Sequence, residues 1–164
     1  MGKNVLVVSA SLRPTSNSHA LALAFAEGAR EAGHDVETVS LRGKRIEFCR
    51  GCLACQAGAA CPLKDDAAAI VERIVAADAI AFATPIYFFE MAGQMKTLLD
   101  RSNPAYAADP AFRDVYLLAT AADEDERAFD GAVKGLQGWI ACFDQARLVG
   151  ASTPEAVTVP TSRA

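Results

Sequence analysis

The chain has 164 residues, enough for one compact domain and too few for two ordinary ones. Hydrophobic residues make up 52% and charged residues 22%, so a sizeable core can form and intrinsic disorder is not expected. A net charge of −4 argues against nucleic acid or an anionic membrane as the main partner.

No segment approaches the ~20 apolar residues of a membrane span. The apolar run at residues 5–8 is too short for a signal-peptide core and leads into a polar loop. A cytoplasmic protein that does not enter the membrane is therefore expected.

Along the chain, Val5-Leu6-Val7-Val8 reads as a strand buried on both faces. Residues 19–32 carry apolar residues at helical spacing, and Gly33 closes that helix. Residues 35–39 alternate like an edge strand. A loop of roughly 25 residues follows, a length that in compact domains usually marks function. Asp65-Asp66 then precede a helix over 67–77, where a carboxylate suits a cap. A second buried strand covers 79–84 and is interrupted by Pro85. A helix over 91–101, a strand over 114–120, a helix over 125–144 and a short strand at Leu148-Val149 complete the order. Residues 1–150 are thus expected to form one domain and 151–164 an irregular tail.

Alternating strands and helices predict a parallel sheet with helices on both faces. Ligands of such sheets bind beyond the C-terminal strand ends. After the first strand comes Ser9-Ala10-Ser11-Leu12-Arg13-Pro14-Thr15-Ser16-Asn17-Ser18, leading straight into a helix. A helix N-terminus offers free N–H groups and partial positive charge, the hydroxyls add donors, and Arg13 adds charge-assisted bonds. One cap would use only one of these residues, so a phosphate site is the better reading. Neither G-x-G-x-x-G nor the P-loop pattern occurs there, which favours a terminal monophosphate such as that of FMN.

After the second buried strand, Thr84-Pro85-Ile86-Tyr87-Phe88-Phe89 offers a rigid turn and aromatic surface for a planar ring. Alone, such a loop more often belongs to a core or a dimer contact; beside a phosphate loop it reads as a flavin shelf.

With these residues in place, the sequence resembles the NADPH-dependent FMN reductase branch of the flavodoxin-like superfamily. The resemblance rests on residues 11–18, on Cys49-Arg50-Gly51-Cys52, on Asp65-Asp66, on Ala77-Asp78, on Thr84-Pro85-Ile86-Tyr87 and on Lys96 with Asp100-Arg101. It implies a three-layer α/β/α sandwich whose five-stranded parallel sheet has the order 2-1-3-4-5. It implies that Ser11, Arg13, Ser16, Asn17 and Ser18 hold the FMN phosphate. It implies that Pro85, Ile86, Tyr87 and Phe88 line the isoalloxazine, with the strand end at Thr120 on its other side. A homodimer or homotetramer with the flavin near the interface is implied as well. Ala10 stands where the family often has glycine, and the stretch 121–126 is acidic rather than glycine-rich.

Cys49, Cys52, Cys55 and Cys61 form C-x2-C-x2-C-x5-C, four thiols within 13 residues. This run resembles the ligand spacing of iron–sulfur flavoproteins, which carry one [4Fe–4S] cluster beside FMN. Structural zinc, a disulfide and metal-free thiols stay open as readings of the same residues. Cys142 falls at apolar spacing in a late helix and is expected to be a buried small hydrophobe. His19 and His34 read as surface residues, and Lys96–Asp100 as an i,i+4 ion pair.

The leading functional expectation is an FMN-dependent oxidoreductase that passes electrons from NAD(P)H to a quinone, flavin or similar small acceptor. An iron–sulfur flavoprotein fed by ferredoxin is the alternative, and a non-catalytic FMN-binding module the third. No residue stands out as an acid–base catalyst, in keeping with chemistry that belongs to the cofactor.

Overall fold

The computed structural model describes residues 2–123 and 125–152. Strand β1 (Asn4–Ser9) shows why a continuous apolar run was needed. Its Val5 and Val7 join one core, with Ala22 and Ala26 of helix α1 (Asn17–Glu31), while Leu6 and Val8 join the core on the opposite face. The first core is built largely from alanines on α1 and on Ala79, Ala81 and Ala83, so helix and sheet approach closely. Gly33, at φ +85°, takes the left-handed position that ends α1, and the His34 amide donates to the Ala29 carbonyl at 3.1 Å.

The remaining elements are β2 (Asp35–Ser40), α2 (Ala67–Ala76), β3 (Ala79–Tyr87), β4 (Glu90–Met91), α3 (Gly93–Arg101), α4 (Asn103–Ala107), β5 (Asp114–Thr120), α5 (Asp130–Ile140) and β6 (Arg147–Ser152); the short β4 and α4 were not expected, and the others keep the expected order. The sheet runs β2-β1-β3-β5-β6 with every pairing along this path parallel, and the two-residue β4 lies antiparallel on β3. Without β4 this is the 2-1-3-4-5 order, a flavodoxin-like sandwich. Among the described residues α1 covers one face, and Ile70, Ile74, Leu98, Leu136 and Ile140 from α2, α3 and α5 cover the other around Phe82. No helix among them is long and apolar enough to cross a membrane.

Several expectations are corrected. β3 does not stop at Thr84: it continues through Pro85, the last residue in register with β5, where a missing N–H affects only the terminal rung. The helix expected over 125–144 divides into a 3-10 turn (Glu126–Phe129), begun by Asp125 accepting from the Arg127 amide, and α5, which ends at Ile140. Beyond it tight turns bring Phe143 onto Phe112 and Trp139. Cys142 sits in those turns, exposed rather than buried. β6 keeps Ala151 and Ser152 in the sheet rather than in a tail; residues 153–164 lie outside the described residues.

Candidate functional site: a hydroxyl-rich cradle, an open cleft and a cysteine loop

The loop between β1 and α1 is held from both sides. The Ala10 amide donates to the Ala83 carbonyl and the Gln94 side-chain amide donates to the Ala10 carbonyl, each at 2.8 Å. Ser16 is the N-cap of α1, its Oγ accepting from the His19 amide at 3.2 Å and lying 3.0 Å from Ser18 Oγ. Capping thus accounts for Ser16 but not for the buried hydroxyls of Ser11 and Ser18. The amides of Asn17 and Ser18 open the helix, and no acceptor among the described residues engages them. Ser11 Oγ accepts from the Arg13 amide at 3.3 Å, and the Arg13 and Asn17 side chains stand exposed at the mouth. The donor set suits a dianionic phosphate. His19 is half-buried, not a surface residue, and shares a 3.0 Å hydrogen bond with Ser9 Oγ beneath the loop.

Beyond β3 and β5 an open cleft of about 680 Å³ is lined by Ile86, Phe88 and Phe89 on one side and by Ala121, Ala122, Asp123 and Ala128 on the other. Pro85, Tyr87 and Thr120 stand beside it, Pro85 and Thr120 opposite one another in register. Phe88 and Phe89 form the two-residue turn of the β3–β4 hairpin with φ of +51° and +64°, a conformation usually taken by Asn-Gly. Such strain persists only where surroundings enforce it. Here the Thr84 hydroxyl donates to the Pro85 carbonyl and accepts from the Ala92 amide, each at 3.0 Å, clamping both ends of the hairpin.

The long loop after β2 brings Cys49, Cys52, Cys55 and Cys61 to the wall of a single small cleft, closed by Arg101 and Pro104. Among the described residues no three His, Cys, Asp or Glu side chains converge enough to share one metal ion. Four thiols lining one cleft are a soft donor set, of the kind that zinc and iron–sulfur centres use.

Beneath this cleft lies the most buried ion pair of the described residues. Arg101 and Asp65 are bound through Nη1–Oδ2 at 2.6 Å and Nη2–Oδ1 at 2.9 Å, with side chains 2% and 0% exposed. Burial pushes the Asp65 carboxyl up, but hydrogen bonds from Arg101 and from the Glu47 and Ala67 amides outweigh it and hold the pKa at about 2. Through the Ala67 amide Asp65 meets a free N–H at the entry of α2, as the sequence suggested, although the N-cap residue Asp66 makes no side-chain cap bond; the ion pair is not a local feature and was not anticipated. Gln94 was likewise missed. Lys96 and Asp100 form the expected pair at 2.6 Å.

A doubly wound parallel sheet with a hydroxyl-rich loop before its first helix and a cleft at neighbouring strand ends is the architecture of a flavodoxin-like protein. The chain belongs to the NADPH-dependent FMN reductase family, whose profile matches residues 3–162. It is 35% identical over 100 residues to an iron-sulfur flavoprotein of Methanocaldococcus jannaschii, covering 61% of this chain and 52% of that one. It is 41% identical over 81 residues to an iron-sulfur flavoprotein of Archaeoglobus fulgidus, covering 49% and 40%. The chain thus spans about half the length of the curated relatives it matches. Its fold is similar to that of an NAD(P)H:quinone oxidoreductase from Methanothermobacter marburgensis, with TM-score 0.68, 22% identity, and coverage of 93% of this chain and 83% of that one.

Proposed function

We propose that this protein is a cytoplasmic FMN-dependent oxidoreductase, with residues 1–150 as its FMN-binding domain, taking electrons from NAD(P)H to a quinone, flavin or similar small acceptor. The observation that carries this reading is the pair of buried hydroxyls, Ser11 and Ser18, beside the unengaged Asn17 and Ser18 amides at the start of α1 and next to an open cleft. Ser11, Arg13, Ser16, Asn17 and Ser18 hold the phosphate; Pro85, Ile86, Tyr87 and Phe88 line the ring, and Thr120 lies at its other side. Bound FMN supplies two-electron acceptance from a nicotinamide and release of electrons singly or in pairs. The protein binds, orients and keeps one ring face accessible. Tyr87 and Phe89, each about half exposed, and the fully exposed Phe88 offer the contact for a homodimer or homotetramer.

Titration of the purified protein with FMN, followed by NADPH oxidation with a quinone acceptor, tests this reading. Saturable binding with turnover supports it, and no flavin binding overturns it. In the same titration Ser16→Ala is expected to weaken FMN binding about tenfold, by roughly 1.4 kcal/mol. It is also expected to lower unfolding free energy by about 1 kcal/mol through loss of the N-cap.

The cysteine loop favours a second centre. Cys49, Cys52, Cys55 and Cys61 line one cleft, and the relatives named iron-sulfur flavoproteins match this chain. We read these four thiols as the ligands of one [4Fe–4S] cluster, which would carry single electrons to or from the flavin. Residues 41–64 hold five cations against one anion, a net +4, whereas the rest of the chain sums to −8. Arg42, Lys44, Arg45, Arg50 and Lys64 are all exposed, so this face suits an acidic one-electron donor such as ferredoxin. Iron and sulfide analysis after anaerobic purification tests the cluster: about four irons per chain support it, and a yellow, iron-free protein overturns it.

A further inference from the structure

Arg101 ends α3 with its guanidinium withdrawn from water, and among the described residues its hydrogen bonds go to the cysteine loop and its anchor. Besides the two bonds to Asp65, Nη1 donates to the Glu47 carbonyl at 2.8 Å and Nη2 donates to Cys61 Sγ at 3.6 Å. Glu47 lies just before the first cysteine of the loop, Cys61 is the last, and Asp65 stands where the chain enters α2. One planar group therefore joins both ends of the cysteine loop to α3. A buried ion pair is a poor device for stability alone, because apolar residues of similar volume commonly stabilise as well or better. A guanidinium that also donates to a sulfur has a second use.

We propose that Arg101 is a positioning residue of the cysteine loop: it fixes the Cys61 sulfur, and its N–H···S bond raises the reduction potential of the iron–sulfur centre the loop holds. The second half of this statement rests on the cluster reading given above. A hydrogen bond to a ligating thiolate withdraws electron density from it and stabilises the reduced, more negative state. Asp65 sets the direction, since a bidentate carboxylate fixes the guanidinium plane and leaves the remaining N–H groups aimed at Glu47 and Cys61. Lysine cannot replace it, because one ammonium cannot bridge a carboxylate, a carbonyl and a sulfur with that geometry.

The test compares wild type, Arg101→Lys and the milder Asp65→Glu, which keeps the carboxylate but displaces it by one methylene. Each is reconstituted anaerobically with iron and sulfide, then followed for iron per chain, midpoint potential and iron loss to a chelator. The apoproteins are digested briefly with a nonspecific protease and cleavage within residues 47–61 is scored; circular dichroism reports folding. Arg101→Lys is expected to lower the midpoint, release iron about tenfold faster and open the loop to cleavage, with Asp65→Glu shifting all three less in the same direction. A role in stability alone would move the unfolding midpoint and leave the potential at its wild-type value. Unchanged potential together with unchanged loop cleavage in both variants overturns the proposal, and should Arg101→Lys fail to fold, Asp65→Glu decides it. If wild-type protein takes up no iron, the cluster reading fails by itself. The positioning role is then decided by cleavage: faster digestion of Arg101→Lys upholds it, and wild-type digestion rejects it.

Discussion

Asp65→Asn is expected to lower the unfolding free energy by on the order of 3–5 kcal/mol, a large part of what holds a domain of this size together. The carboxylate is fully buried and receives four hydrogen bonds: two from Arg101 and one each from the Glu47 and Ala67 amides. An asparagine keeps the shape but turns an NH2 group toward donors and leaves the Arg101 guanidinium buried without its counter-charge. The same carboxylate makes stability depend on acid. Its folded pKa of about 2 lies below the value near ~3.9 of an unfolded chain. A depressed carboxyl contributes its stability in full above the unfolded value and loses it as pH falls toward the folded one. Wild type should therefore lose about 2 kcal/mol between roughly pH 5 and pH 2 through this one group. Asp65→Asn, already destabilised, should show a flatter acid limb. Urea unfolding of both proteins across that range checks it, and parallel acid limbs would show that Asp65 is not held in its ionised form by Arg101.

How much of this was legible beforehand depended on whether the cause was local. Strands β1, β3 and β5 were readable because both faces are covered, so Val5-Leu6-Val7-Val8 needs no polar position. The hydroxyl-rich loop after β1 was readable as a unit because its hydroxyls and the helix start are contiguous, and Ser16 proved to be the cap. The β3–β4 hairpin was not, because Phe88-Phe89 carries none of the Asn-Gly chemistry that normally announces such a turn; its conformation is imposed by Thr84 and by the packing of α5. Asp65 looked like a helix cap and partly is one. Its partner, Arg101, lies 36 positions away, and no single-sequence pattern links the two. The cysteines showed by their spacing that they belong together, whereas the guanidinium that joins the loop to α3 is visible only in the fold.

Gly131→Ala and Gly138→Ala should have opposite effects although both replace a glycine within α5. At Gly138 an added methyl meets nothing within 4 Å, so the variant should gain roughly 0.5–1 kcal/mol from better helix propensity and a less flexible unfolded chain. At Gly131 the methyl would collide with the Phe89 carbonyl oxygen and meet Glu90 Oε2 at 3.3 Å. The obstacle is backbone, so the helix start or the hairpin turn must move. An overpacked contact of this kind costs about 1–3 kcal/mol, more than the propensity gain. The displaced turn carries Phe88 and Phe89, which line the cleft against Ala121, Ala122 and Ala128. FMN binding to Gly131→Ala should accordingly weaken by about tenfold or more, a loss of roughly 1.4 kcal/mol at the least. Gly138→Ala should bind FMN as wild type does. Urea unfolding and flavin fluorescence titration of the two variants side by side separate the effects. If Gly131→Ala were as stable as Gly138→Ala, the helix would not be docked on the hairpin backbone; if it were destabilised yet bound FMN normally, the turn would play no part in holding the ring.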